Sequence, residues 1–148
     1  GVIETVPTFR SLTVIYDPLQ TRRATLETAL AELIARAPPR LILALHSFTP
    51  KMATSDEQRP WEVALLYNQD DRAARHAIRL FGEQGLNVGD NQPYSGKQLN
   101  ATMDRHAEAN GIPYCTVEIR QDQIDTAAGQ ARWAVMLADI MGRVALEV

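Results

Sequence analysis

The sequence predicts an α/β fold: a mixed, mostly parallel sheet with helices on its faces, preceded by a β-hairpin and a helix. Three observations carry this. From Leu41 onward, short apolar or β-branched runs alternate with stretches of helical periodicity in the order β-β-α-β-α-β-α, and such alternation implies a sheet covered by helices. Leu41 to Leu45 is continuously apolar and short, as expected of a strand buried on both faces. The final stretch, from about Thr126 to Val144, places Trp133, Leu137, Ile140, Met141 and Val144 at helical spacing, the stripe of a helix that packs on a core.

The elements follow in order. Val2 to Val6 and Leu12 to Tyr16 are β-branched runs joined by Pro7-Thr8-Phe9-Arg10-Ser11, which reads as a hairpin. Asp17-Pro18 ends the second run. A helix is expected from about Thr21 to Ala37, with Leu26, Ala29, Leu30, Leu33, Ile34 and Ala37 on one face, and Pro38-Pro39 stops it, because proline cannot continue a helix and restricts its predecessor. After Leu41 to Leu45 the strand is expected to end at His46-Ser47-Phe48-Thr49-Pro50, and Lys51 to Arg59 is a polar loop. Glu62 to Tyr67 is the next strand. Asn68 or Asp70 caps a helix to about Gln84 whose inner face carries Ala74, Ala77, Ile78 and Phe81, with Gly85 as its stop. Leu86 to Val88 is a brief strand, and Gly89-Asp90-Asn91-Gln92-Pro93-Tyr94-Ser95-Gly96 is a loop dense in turn formers. A short helix from about Ala101 to Asn110 ends at Gly111, and Tyr114 to Ile119 is a strand.

Composition narrows the function. With 148 residues the chain suits one folded unit with a core. Hydrophobic residues at 45% and charged residues at 22% argue against disorder. A formal net charge of -3 with interleaved signs argues against nucleic acid as a partner, which demands a basic face. One cysteine, Cys115, excludes an intrachain disulfide. No apolar run reaches spanning length, so no membrane role is expected and the expected location is cytoplasmic. A start without Met points to a processed, truncated or excised chain.

Two residues stand out as chemistry. His46 follows the strand Leu41 to Leu45, and ligands of open α/β sheets gather at the carboxyl ends of strands. It reads either as a metal ligand or as a hydrogen-bonded histidine at a strand terminus. Glu118 sits near the end of what should be a central strand, among Cys115, Val117 and Ile119, where an unpaired carboxylate is costly. Either it pairs with Arg120, which alternation places on the same face, or it is a general base for metal-bound water, with Arg120 holding a substrate carboxylate. His106 precedes the last strand and is expected to point to the same end of the sheet as His46. His76 lies among arginines and is expected to be solvated. Cys115 is expected to be buried and inert. The GDNQPYSG loop, with Asp90, Asn91, Tyr94 and Ser95, lacks a nucleotide-binding glycine pattern.

Taken together, HSFTP, RPWEVALLYN, VGDNQPYSG, RHAEANGIPY and VEIRQD resemble the N-formylglutamate amidohydrolase family over roughly Leu33 to Val148. The resemblance implies a zinc-dependent hydrolase related in fold to the zinc carboxypeptidases, acting on N-formyl-glutamate or a similar small-molecule N-acyl amino acid. It implies His46 as a metal ligand, Glu118 as the base that activates water, and Arg120, Asn91, Tyr94 and His106 as pocket residues. Family members carry a longer N-terminal half with further metal ligands. Residues 1–32 instead resemble the N-terminal domain of the 5-oxoprolinase components of the KipI or allophanate hydrolase type. The chain is therefore expected to be composite, 1–37 and 38–148 in one folded unit, with zinc weakly bound or absent and amidase activity impaired. The alternative is a non-catalytic composite module, for which a homodimer would cover surface left bare.

Overall fold

The structure, a computed structural model, describes residues 2–7, 12–16, 21–54 and 56–148, with residues 2–7, 12–16 and 23 described by backbone alone. The chain divides into two compact units, Gly1–Pro38 and Pro39–Val148. In the first, β1 (Val2–Pro7) pairs antiparallel with β2 (Leu12–Tyr16), with a register irregularity between Val2 and Glu4. The connecting residues from Thr8 to Ser11 and the Asp17-Pro18 stop lie outside the described residues. The helix α1 (Arg23–Arg36) follows, and the Ala37 amide bonds the Leu33 carbonyl just before the two prolines. Its expected inner stripe is not buried: Leu26, Leu33 and Ile34 are half-buried, while Ala29, Leu30 and Ala37 are exposed. A two-stranded ribbon offers too little surface to bury a helix face.

The second unit holds β3 (Ile42–Phe48), β4 (Val63–Leu66), α2 (Arg72–Glu83), β5 (Val88–Asp90), α3 (Ala101–His106), β6 (Tyr114–Arg120) and α4 (Ala127–Glu147). This is the alternation expected from Leu41 onward. The sheet order is β3-β6-β4-β5. The outer pairs β3/β6 and β4/β5 are parallel, and the central pair β6/β4 is antiparallel, so the sheet is mixed and mostly parallel. No helix among the described residues is long and apolar enough to cross a membrane.

One face of this sheet is dry over β4 and β6. Val63, Leu65, Cys115, Val117 and Ile119 alternate onto it and pack with Ala73, Ala74, Ala77, Leu80 and Phe81 of α2. The α4 stripe Trp133, Leu137, Ile140, Met141 and Val144 completes the core, as its spacing predicts. Phe81 and Trp133 meet with ring centroids 6.1 Å apart, tilted by 47°. Thr126 caps α4 by accepting from the Gly129 amide at 3.1 Å, a helix start of ordinary chemistry. At α2 the N-cap is Asp71, without a side-chain cap bond, and not the expected Asn68 or Asp70; the Asp70 carboxylate just before it accepts from the Arg72 amide at 3.1 Å.

The structure corrects the reading of β3. The strand does not stop at His46 but continues to Phe48, and it is not buried on both faces. It is an edge strand: β6 is its only neighbour in the sheet among the described residues, and Leu43 and Leu45 are 41% and 54% exposed. A continuous apolar run cannot by itself distinguish a central strand from an edge. The short strand before the turn-rich loop is also displaced, to Val88–Asp90, which puts Gly89 and Asp90 into the sheet.

Candidate active site

The second face of the sheet carries the polar groups. Residues paired across adjacent strands project to the same face, so the register defines rows. His46 pairs with Glu118, Glu118 with Ala64, and Ala64 with Gly89, one row across all four strands of this sheet. The row below is Ala44, Thr116 and Leu66. Above it, Phe48 pairs with Arg120. Phe48, Ala64 and Leu66 form a small cluster with Trp61 and Tyr94 packed against it.

Side chains shrink along the central row. Ala64 offers only a methyl beside Glu118. At Gly89 a Cβ would sit 2.5 Å from the Gln92 carbonyl oxygen and 3.1 Å from the Trp61 ring, so the loop and the indole come down onto the sheet there. At the other end of the row His46 is exposed.

Glu118 is 8% exposed, and its Oε2 is buried without a hydrogen-bond partner; the Thr116 hydroxyl, on the same face, is also unpartnered. Burial pushes the Glu118 carboxyl above its ordinary pKa, and the charge of His46 opposes that shift. A carboxylate so placed is poised to take a proton.

Arg120 is bonded elsewhere than to Glu118. Its Nε and Nη2 donate to Asp122 at 2.7 and 3.1 Å, and its Nη1 donates to the carbonyls of Arg59, Pro60 and Trp61 at 3.1–3.2 Å. The expected Glu118–Arg120 pair does not form, because the turn after β6 supplies a nearer carboxylate. Arg120 instead fastens the approach to β4 onto the end of β6.

Tyr94 lies over the face, and Asn91 shapes the loop that brings it there. Asn91 adopts φ 52°, a left-handed conformation that asparagine tolerates. Its Oδ1 accepts from the Tyr67 and Gly96 amides at 3.1 and 2.9 Å. The Gln92–Pro93 peptide bond is cis. His106 is buried at the end of α3. The segment after Leu99 is tied to the amino end of β6, where Asn100 donates to the Tyr114 hydroxyl at 2.8 Å and that hydroxyl donates to Glu108 at 2.6 Å. These bonds fasten the segment around α3 to Tyr114, the first residue of β6. His76 forms an ion-pair contact with Glu147, 2.9 Å away. Cys115 is buried, and desolvation pushes its thiol up to about 12, so it is inert as expected.

Sequence reading misses Arg59. It belongs to a polar loop by composition, yet its side chain is only 3% exposed. Its Nη1 donates to the Tyr94 hydroxyl at 3.2 Å and to the Thr49 carbonyl at 3.4 Å, and Nη2 donates to Glu57 at 3.3 Å. The guanidinium carbon stands 5.1 Å from the centre of the Tyr94 ring. The hydrogen bond to Tyr94, ahead of the opposing desolvation, raises its pKa. The sole signal for it is RPWEV as a motif, and nothing local in the sequence marks burial.

The family model for N-formylglutamate amidohydrolase matches residues 10–124. The chain belongs to the N-formylglutamate amidohydrolase family. The match starts within residues 1–32, the segment expected to be foreign to this family, and runs across the expected join. A gene product of Agrobacterium tumefaciens is similar in structure, with TM-score 0.71 and 28% identity over 82% of this chain and 49% of that one. An N-formylglutamate amidohydrolase from Ralstonia eutropha shares the fold, with TM-score 0.54 and 20% identity over 90% of this chain and 56% of that one. This member of the family thus spans about half the length of the solved structures it matches. Among curated proteins none matches it.

Zinc is what the family resemblance implies. Catalytic zinc takes three protein ligands, and among the described residues no group of three His, Cys, Asp or Glu side chains is placed to hold a metal. His46 and Glu118 stand side by side, but these two donors alone do not fit the ion.

Proposed function

We propose that the His46–Glu118 face carries amide hydrolysis of an N-acyl amino acid, N-formyl-glutamate or a close analogue. The observation that supports it most is the buried, unpartnered Oε2 of Glu118 in register with His46 on a central strand. In this reading Glu118 takes the proton of the attacking water and returns it to the leaving amine. Its raised pKa suits both steps, since a carboxyl nearer neutrality accepts and releases a proton more readily. Tyr94 packs over that face, and Asn91 holds the loop that presents it. His46 is the zinc ligand that the family resemblance implies, but with Glu118 it falls short of a three-ligand site, so the chain is expected to be a slow catalyst. The test is formate release from N-formylglutamate by the purified chain, with zinc added and with a chelator. Glu118→Gln is expected to lower the rate by roughly 10²–10⁴-fold. An unchanged rate in that variant sinks the assignment, and stoichiometric zinc lost on His46→Ala sinks the weak-binding part.

A second reading is a non-catalytic composite module that pairs with another copy. It is favoured by the exposed Leu43 and Leu45 on the edge strand β3, since such an edge is a template for strand pairing. Monomeric sedimentation at high concentration removes it.

A further inference from the structure

Arg59 is a cation buried on the same side of the sheet as the proposed base, and its charge is poorly answered. Its one acidic contact among the described residues is Glu57, itself 46% exposed, at 3.3 Å. That is long for a charge-assisted bond, which runs about 2.7–2.9 Å. Its Nε is buried and has no partner. A buried charge with an unfilled donor is costly unless something completes it.

The surroundings fix the position of this cation. The carbonyls of residues 59–61 are held by Arg120 at the end of β6. Thr49, just past the end of β3, and Tyr94 take Nη1. The guanidinium therefore stands at the carboxyl end of β3 and β6, near the Phe48/Arg120 row. That is one row, roughly 7 Å along the strands, beyond His46 and Glu118. Nη1 is engaged, whereas the edge formed by Nε and Nη2 is answered only by Glu57.

We propose that Arg59 anchors a carboxylate of the substrate on its Nε/Nη2 edge, displacing Glu57, while the scissile amide lies over Glu118. This rests on the amide-hydrolase reading for the identity of the substrate but not for the anion site itself. A planar carboxylate matches that edge with two parallel bonds, the geometry for which arginine is suited and lysine is not. Glu57 then acts as a built-in competitor that holds the edge while no substrate is present.

Calorimetric titration with glutarate, which has the acid groups and no amide to cleave, tests this apart from catalysis. Glutarate is expected to bind and neutral glutaramide is not. Arg59→Gln is expected to weaken glutarate by about tenfold or more, with Arg59→Lys between it and the parent. Glu57→Gln, at a half-exposed position, is expected to tighten glutarate by roughly two- to fivefold. Equal binding by folded Arg59→Gln overturns the proposal, as does inorganic phosphate binding more tightly than glutarate. Should Arg59→Gln fail to fold, Glu57→Gln decides: unchanged or weaker affinity overturns it. Glutarate binding that depends on Arg59 without any formate release would leave the anchor standing and remove the hydrolase reading.

Discussion

The two faces of the four-stranded sheet are built from the same strands and differ in what they leave unfinished. On the face beneath α2 and α4, apolar side chains fill the space, and among the described residues the one unpartnered buried side-chain polar atom there is Trp133 Nε1. On the other face Arg59 Nε, Thr116 Oγ1 and Glu118 Oε2 are all buried and unanswered. Native proteins keep few such groups, because each forfeits its hydration without recompense. Their concentration on one face separates the part of the molecule that makes it fold from the part that meets something else.

The comparison can be broken first at the core. Trp133→Ala should cost about 3–5 kcal/mol in urea unfolding; a loss below about 1 kcal/mol would mean that the helix face does not carry the stability. Next, Arg120→Ala removes the tie between the end of β6 and residues 59–61. It should cost about 2–3 kcal/mol and also weaken glutarate binding, because the segment carrying Arg59 loses its tie. The smallest effect has the opposite sign. Because burial raises the Glu118 pKa, the folded protein binds more protons than the unfolded chain between the ordinary carboxyl range and the raised value. Stability from this group therefore falls as pH rises through that window. Glu118→Gln should abolish the fall, a change of less than about 2 kcal/mol seen as a flatter melting temperature against pH. A steeper fall in the variant would show that the carboxylate is paired and not orphaned.

Much of this arrangement is legible in the sequence, and the failures share a cause. The α4 stripe, the alternation of elements and the strand bearing Glu118 follow from periodicity, which is a local property. The neighbours of β3 are not local: an apolar pentapeptide reads the same in the middle of a sheet and at its edge. The Glu118–Arg120 pair fails for the same reason, since alternation gives the face of a side chain but not whether Asp122 or Glu118 is nearer to its guanidinium. Arg59 escapes notice because only the folding of a distant tyrosine over it, through the turn at Asn91, takes it out of water. The His46–Glu118 adjacency is suggested only by family likeness; the parallel register of β3 on β6 supplies its physical basis.

The central row has one more consequence. From His46 to Glu118 to Ala64 to Gly89 the floor descends like a ramp, and its low end is roofed by the indole of Trp61 and the Gln92 carbonyl. The row is closed at Gly89 and open at His46. The exposed imidazole of His46 is therefore the solvent-facing neighbour of the buried Glu118 carboxyl in that row, as well as the site's first candidate ligand.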